Sequence, residues 1–296
     1  AYTLPDNGDS LVGAVTTLRL AHEDTLAAIA QKYGVGFQEL LDANPDVDPW
    51  LPGEGTVIRM PTQYVLPDAP RSGLVINLAE YRLYFYPPDS NRVITYPVGI
   101  GRTEFRTPLI ETVVTGAIEN PSWTPTPAAR EEHAAAGDIL PPVVLAGPEN
   151  PLGSIAIQLE APGYFIHGTN KPFGVGQMVS HGCIRLYEPH IATLAEMVPR
   201  GFPVFIVDQP VKLGWRGNRL YLESHRRLYT DEEYSADELA QLLAEVEAAA
   251  ESKTMQIDRN VVETALQGPT GVPAGVSDDA HRNARRGQEA NPISMN

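Results

Sequence analysis

Residues 74–86 read LVINLAEYRLYFY, two runs of β-branched and aromatic residues on either side of Ala79-Glu80. Such residues pack best on a pleated surface, and a short break between two such runs reads as a hairpin turn. The same texture returns at RVITYPVGI (92–100), IETVVTGAI (110–118), SIAIQLE (154–160), GYFIHG (163–168) and PVFIVD (203–208). Together these runs predict a mostly antiparallel β domain. One helix interrupts it, at about 189–198, where Ile191, Leu194, Ala195 and Val198 fall on one face.

Upstream the period changes. Residues 17–61 read as a strand (17–21), a helix capped by Asp24 or Thr25 with Leu26, Ile29, Ala30 and Tyr33 in a stripe, a stop at Gly34, a second helix (37–43) and a last strand (56–60). Asn44-Pro45 breaks the second helix, so the unit is βααβ. Residues 1–16 form an N-terminal segment, and 62–72, with two prolines, read as a linker. Residues 120–152 hold seven prolines and the charged run REEH. A long irregular stretch inside a domain is usually functional, and this one is expected to be a loop over the active site. Residues 209–266 carry a hairpin, GWRGNRLYLE (214–223), and a helix (236–250) with a Ser235/Glu238 capping box. Residues 267–296 are rich in Gly, Pro, Ser, Asp and Arg and are expected to be a mobile tail.

Composition sets limits. A chain of 296 residues exceeds what one core usually fills, so two modules are expected. No apolar run is long enough to span a bilayer. A start at Ala1 without Met or a leader fits an exported chain whose signal peptide has been removed. The formal charge of −15 argues against nucleic acid as a partner, because phosphate backbones need clustered Lys and Arg. One cysteine, Cys183, cannot close an intramolecular disulfide. It is either a nucleophile or an inert buried thiol.

The residues around it favour the first reading. HGTNKPFGVGQMVSHGCIRL (167–186) places His167 at a strand end and His181 two positions before Cys183. An imidazole can take the thiol proton and produce the attacking thiolate. His167 is preferred as base, with His181 as rival. Backbone N–H groups around Ser180-His181-Gly182-Cys183 can converge on an oxyanion with no side chain in the way. A metal set of His167, His181, Cys183 and His190 is an alternative, although zinc ligands usually come in tighter pairs.

Two resemblances extend this reading. EDTLAAIAQKYGV, LLDANP and LPGEGTVIRMP (within 23–61) resemble a LysM module, a family that binds N-acetylglucosamine-containing glycans; Glu23 stands where GDT is commoner. That resemblance implies a sugar groove near Glu23, Asp24 and Thr25 and near Asn44. HGTN followed by SHGCIRL, with YPVGIGRTEFRTP and NPSWTPTPAAR upstream, is similar to the L,D-transpeptidase (YkuD-type) family over about 73–208. It implies a β-sandwich-like catalytic domain beside the small α+β unit and a short helical C-terminal unit.

The second resemblance also implies roles. His167 is base, Cys183 is nucleophile, the carbonyl of Gly168 orients the imidazole, and the N–H groups of His181, Gly182 and Cys183 form the oxyanion site beside Ser180. Asn170 and Arg185 would face substrate. Thr107-Pro108-Leu109-Ile110 lacks the Gly usual after TPL, which puts that turn in question. The implied partners are peptidoglycan stem peptides and glycan, and an outer-membrane lipoprotein as one acceptor. No metal or organic cofactor is implied, and the setting is periplasmic. The alternatives are a cysteine hydrolase of the same fold and a non-catalytic peptidoglycan-binding protein.

Overall fold

The computed structural model describes residues 1–5 and 8–278. Strands β1 (Tyr2–Thr3), β2 (Leu11–Gly13) and β3 (Thr16–Arg19) lead into helices α1 (Leu26–Tyr33) and α2 (Phe37–Asp42), followed by β4 (Val57–Met60) and β5 (Gln63–Val65). β3 pairs antiparallel with β4, closing the βααβ unit over a core of Leu20, Leu26, Ile29, Leu40 and Ile58. Thr25 is the N-cap, its hydroxyl accepting from Ala28 N, and Gly34 ends α1 with φ of 65°.

The central domain follows as β6 (Gly73–Asn77), β7 (Arg82–Tyr86), β8 (Arg92–Pro97), β9 (Ile100–Gly101), β10 (Glu111–Glu119), α3 (Pro127–Ala135), β11 (Ile155–Leu159), β12 (Phe165–His167), β13 (Met178–Ser180), β14 (Ile184–Arg185), α4 (Glu188–Met197) and β15 (Pro203–Val207). Nine strands run in the order β1-β8-β7-β6-β15-β10-β11-β12-β14. β10 joins the two halves: residues 111–113 pair with β15, and from Val114 on it pairs with β11, with a register shift between Val114 and Gly116. One apolar cluster takes Leu74, Ile76, Leu83 and Phe85 from one half and Ile157, Ile166, Ile184 and Ile191 from the other. The domain is therefore mainly β and sandwich-like, with two parallel pairs, β6–β15 and β12–β14, in an otherwise antiparallel sheet. The turn at Ala79-Glu80 is a 3₁₀ turn closed by Tyr81 at φ 52°.

β6 and β7 are buried on both faces. Tyr84, Tyr86 and Val75 are covered by Val12, Tyr64 and Leu66. This corrects the expected linker: β5 pairs with β2, and Tyr64, Val65 and Leu66 are core residues. Two prolines punctuate that segment without loosening it.

The C-terminal unit holds β16 (Val211–Arg216), β17 (Arg219–Ser224), α5 (Ala236–Glu251), β18 (Gln256–Ile257), α6 (Arg259–Gln267), β19 (Ala274–Gly275) and β20 (Ser277–Asp278). α5 carries the expected Ser235/Glu238 capping box. The expected mobile tail is partly corrected. β19 pairs with β17, β20 pairs with β18, and Val276 is buried among Leu220, Val246 and Val262. Backbone pairing holds this segment with little apolar surface, which composition does not reveal. Residues 279–296 of that tail lie outside the described residues.

The first two units are tightly joined. Arg82 of β7 makes a bidentate ion pair with Glu39 of α2, its Nη2 2.5 Å from Oε1 and its Nε 2.9 Å from the same oxygen, and both side chains are buried. Gly176 meets Gly36 so closely that a Cβ on Gly176 would lie 2.6 Å from Gly36 Cα. Tyr187 donates its hydroxyl to Val35 O at 3.2 Å.

Candidate active site

β12 and β14 run parallel with Ile166 opposite Ile184 and His167 opposite Arg185. Ile166 and Ile184 both turn into the core. Alternation along each strand therefore sends His167 and Arg185 to the other face, side by side, with Cys183 at the residue just before β14.

His167 is buried, and its Nδ1 lies 2.6 Å from Gly168 O. An N–H at Nδ1 donates to that carbonyl, which leaves the Nε2 lone pair free. Burial pushes the imidazole down to about 4, with Arg185 adding to the fall and the Gly168 and Leu152 carbonyls opposing it. The Gly168 corner is itself pinned. Glu188, at the start of α4, accepts from Thr169 N at 2.6 Å and from Ser154 Oγ at 2.5 Å, and a Cβ on Gly168 would strike its carboxylate.

Cys183 is partly exposed, its Sγ 3.5 Å from Gly163 O. Burial raises the thiol above its ordinary range, while the Phe165 N–H and the Arg185 cation favour the thiolate. Both groups of the pair are therefore uncharged at neutral pH. Arg185 is the nearby cation, with its Nε buried and unpartnered. Replacing Arg185 by Met should move the thiol further up and slow iodoacetamide alkylation at fixed pH, about tenfold for each pH unit by which the thiol's inflection rises. A pH profile of alkylation checks this, and an unmoved inflection would remove Arg185 from the site's electrostatics.

Ser180 shapes the turn. Its hydroxyl donates to Cys183 O at 2.6 Å and accepts from Gly182 N at 3.0 Å. This corrects the expected oxyanion site: the Gly182 N–H is already bonded to Ser180, which leaves those of His181 and Cys183. Gly182 has φ of 103°, which only glycine adopts without strain, and a Cβ there would meet the Tyr164 ring at 3.1 Å.

His181 faces another partner. Its Nε2 lies 2.9 Å from Glu132 Oε2, and Arg102 grips the same carboxylate with both terminal nitrogens at 2.5 Å. Hydrogen bonds from Arg102, then from His181, hold Glu132 at about 2. Glu132 sits on α3, inside the segment read as irregular. That reading is corrected: Thr126 caps α3 and Pro127 opens it, a start signal hidden among the other prolines.

The remaining candidates separate. His190 packs between Tyr96 and Tyr187, and among the described residues His167, His181, Cys183 and His190 form no group close enough to share an ion. Asn170 donates to Glu149 O, and its Oδ1 is buried without a partner. In the N-terminal unit Glu23 is exposed and Asp24 accepts from Ala21 N. Asn44, expected at a sugar groove, is instead buried. Its amide bonds Leu40 O and Arg59 O, and its Oδ1 accepts from Arg59 N. Its polar atoms are spent inside the unit.

Sequence reasoning missed Thr107 and Tyr229. The Thr107 hydroxyl accepts from Gly101 N at 2.9 Å and donates to Gly182 O at 3.0 Å, so the turn in doubt is held by its threonine. The Tyr229 hydroxyl donates to Gly101 O at 3.2 Å, bringing the C-terminal unit to the strand that Thr107 ties to Gly182. A cavity of 1090 Å³ between α2, Tyr81 and Tyr234 also borders Thr103 and Met178, but Cys183 does not line it.

Comparison with known proteins gives the family. The L,D-transpeptidase catalytic domain (YkuD) matches residues 71–206, and the LysM domain matches 22–60. The chain belongs to the L,D-transpeptidase family. It is 41% identical to the probable L,D-transpeptidase ErfK/SrfK of Escherichia coli K12, over 95% of this chain and 92% of that one. It is 43% identical to the probable L,D-transpeptidase YcfS of the same strain, over 93% and 88%. The catalytic domain of the E. faecium L,D-transpeptidase, solved by NMR, aligns at 19% identity and a TM-score of 0.36, over 47% of this chain and 99% of that one.

Among the described residues no helix is long and apolar enough to cross a membrane.

Proposed function

We propose that this L,D-transpeptidase acts on peptidoglycan through a thioester on Cys183, with His167 as its base. The Cys183 thiol gives its proton to His167 Nε2 as sulfur attacks the carbonyl of the third residue of a tetrapeptide stem. The C–N bond to the terminal D-alanine breaks, and the departing amine takes that proton. An acceptor amine then attacks the thioester, loses a proton and releases the thiol. The amine belongs to a neighbouring stem, giving a 3-3 cross-link, or to the C-terminal lysine of an outer-membrane lipoprotein. The LysM unit raises the local stem concentration by holding glycan. The setting is periplasmic.

One observation carries this reading. His167 ends β12, Cys183 directly precedes β14, the parallel neighbour of that strand, and Gly168 O claims Nδ1 so that Nε2 is left as the base. The rival base has its Nε2 on Glu132.

Purified protein incubated with tetrapeptide muropeptides, with and without a lipoprotein C-terminal peptide, should yield tripeptide-linked dimers or the peptide conjugate by mass. Tripeptide alone would make the protein a hydrolase of the same fold. No product at all would leave it a binding protein.

A further inference from the structure

Large apolar rings left in water oppose the burial that holds a fold together, so an ordered exposed cluster calls for a ligand. Trp50 is 54% exposed and Phe173 46% exposed, although both pack on Phe37, which is 7% exposed. The ring centroids are 4.9 Å apart for Phe37–Phe173, 5.6 Å for Trp50–Phe173 and 6.0 Å for Phe37–Trp50. Trp50 and Phe37 come from the LysM unit, Phe173 from the catalytic domain.

We propose that Trp50 and Phe173 form one composite platform that stacks on the pyranose rings of an N-acetylhexosamine glycan, extending the glycan surface from the LysM unit onto the catalytic domain. This rests on the reading that the LysM unit holds glycan.

The placement supports that ligand over others. Leu26 N donates to Pro49 O at 2.9 Å, which ties the Trp50 loop to the start of α1, where the expected sugar groove lies. On the other side Phe173 is six residues after His167 in the segment that leads to Cys183. A glycan crossing both rings passes from the binding unit toward the residues that would process its stem peptide. The platform is preformed, because the Gly36–Gly176 contact and the Glu39–Arg82 pair leave the two units no room to slide. Its rim is polar: Gln177 Nε2 donates to Phe173 O at 2.7 Å, and Lys171 is exposed nearby. A sugar ring offers an apolar C–H face with hydroxyl edges, which suits a flat apolar surface with a polar rim.

The test is calorimetric titration of the full chain with a hexamer of N-acetylglucosamine, comparing wild type with Trp50→Ala, Phe173→Ala and Phe173→Tyr. Each alanine variant should weaken binding roughly 2- to 13-fold, while Phe173→Tyr keeps the ring and binds like wild type. Thermal melts monitor the fold, and the tyrosine variant separates loss of a ring contact from loss of packing. If Phe173→Ala binds as wild type while Trp50→Ala is weakened, the glycan surface ends at the LysM unit and the composite site is wrong. If wild type itself does not bind, the glycan reading beneath the proposal fails with it. A wild-type dimer in sedimentation that Phe173→Ala dissociates, with glycan affinity unchanged, would make the platform a self-association face and overturn the proposal.

Discussion

Replacing His167 by alanine should slow acylation of Cys183 by a carbapenem about 10²- to 10⁴-fold, the usual contribution of a positioned general base. Cys183→Ala should gain no drug mass at all. The size of the first effect follows from the resting charge state. Burial pushes His167 down to about 4 and lifts the Cys183 thiol, so burial favours the uncharged form of both groups. The proton has to move as sulfur attacks, and Nε2 is available because Gly168 O holds Nδ1. Acylation should therefore be nearly flat from pH 5 to pH 8 and fall as His167 protonates around pH 4. A mass-spectrometric time course across that range measures both features. Equal rates for wild type and His167→Ala would remove His167 from the chemistry and return attention to His181.

The same imidazole links pH to stability. Its folded pKa, about 4, lies below the unfolded value of 6.5, so between those limits the unfolded chain binds more protons. Stability falls as the pH drops through that window, by about 3 kcal/mol across roughly 2.5 pH units, and the alanine variant should lose correspondingly less.

Much of this was legible because the signals are local. The LysM helices announce themselves through Thr25, Gly34 and a 3.6-residue stripe, and the SHGC run puts Ser180, Gly182 and Cys183 within four residues. What was not legible depends on partners far apart in sequence. β14 is two residues long and takes its register from β12, so no period marks it. Glu132 reads as one acid in REEH until α3 carries it to His181, 49 residues away. Asn44 looks like a loop residue open to sugar, yet Arg59 across the unit claims both ends of its amide. Thr107 stands in a motif that lacks its usual glycine, and the part that holds the turn is its hydroxyl.

The buried charges between the units are the extreme case, and they carry the second large effect. Lys212 of β16 sets its Nζ 2.8 Å from Glu80 Oε2, 2.8 Å from Glu223 Oε1 and 2.6 Å from Val65 O. Glu223 also accepts from Val65 N at 2.5 Å and contacts His225 Nε2 at 2.7 Å. One ammonium thus joins the C-terminal unit, the β6–β7 turn and β5. The ligand atoms of Glu80, Glu223 and His225 lie within 4.8 Å of one another, a spacing that would suit a cation, and Lys212 supplies it. Burial alone would lift Glu223, but Lys212 and His225 outweigh it and bring the carboxyl to about 2.

Lys212→Met leaves the Glu80 and Glu223 carboxylates facing each other with His225 alone beside Glu223, and takes the ammonium from the Val65 carbonyl. Removing one partner of a buried ion group typically costs ~3–5 kcal/mol, because the surviving charge is left unpaired. For a chain of this size that corresponds to a fall in Tm of roughly 6–20 °C. The triple variant Lys212→Met, Glu80→Gln, Glu223→Gln removes the unpaired charges as well and should recover most of the loss. Thermal melts of the two variants at neutral pH decide the matter: a Lys212→Met protein as stable as wild type would mean that the carboxylates are protonated or reached by water, and that Lys212 does not hold the three units together.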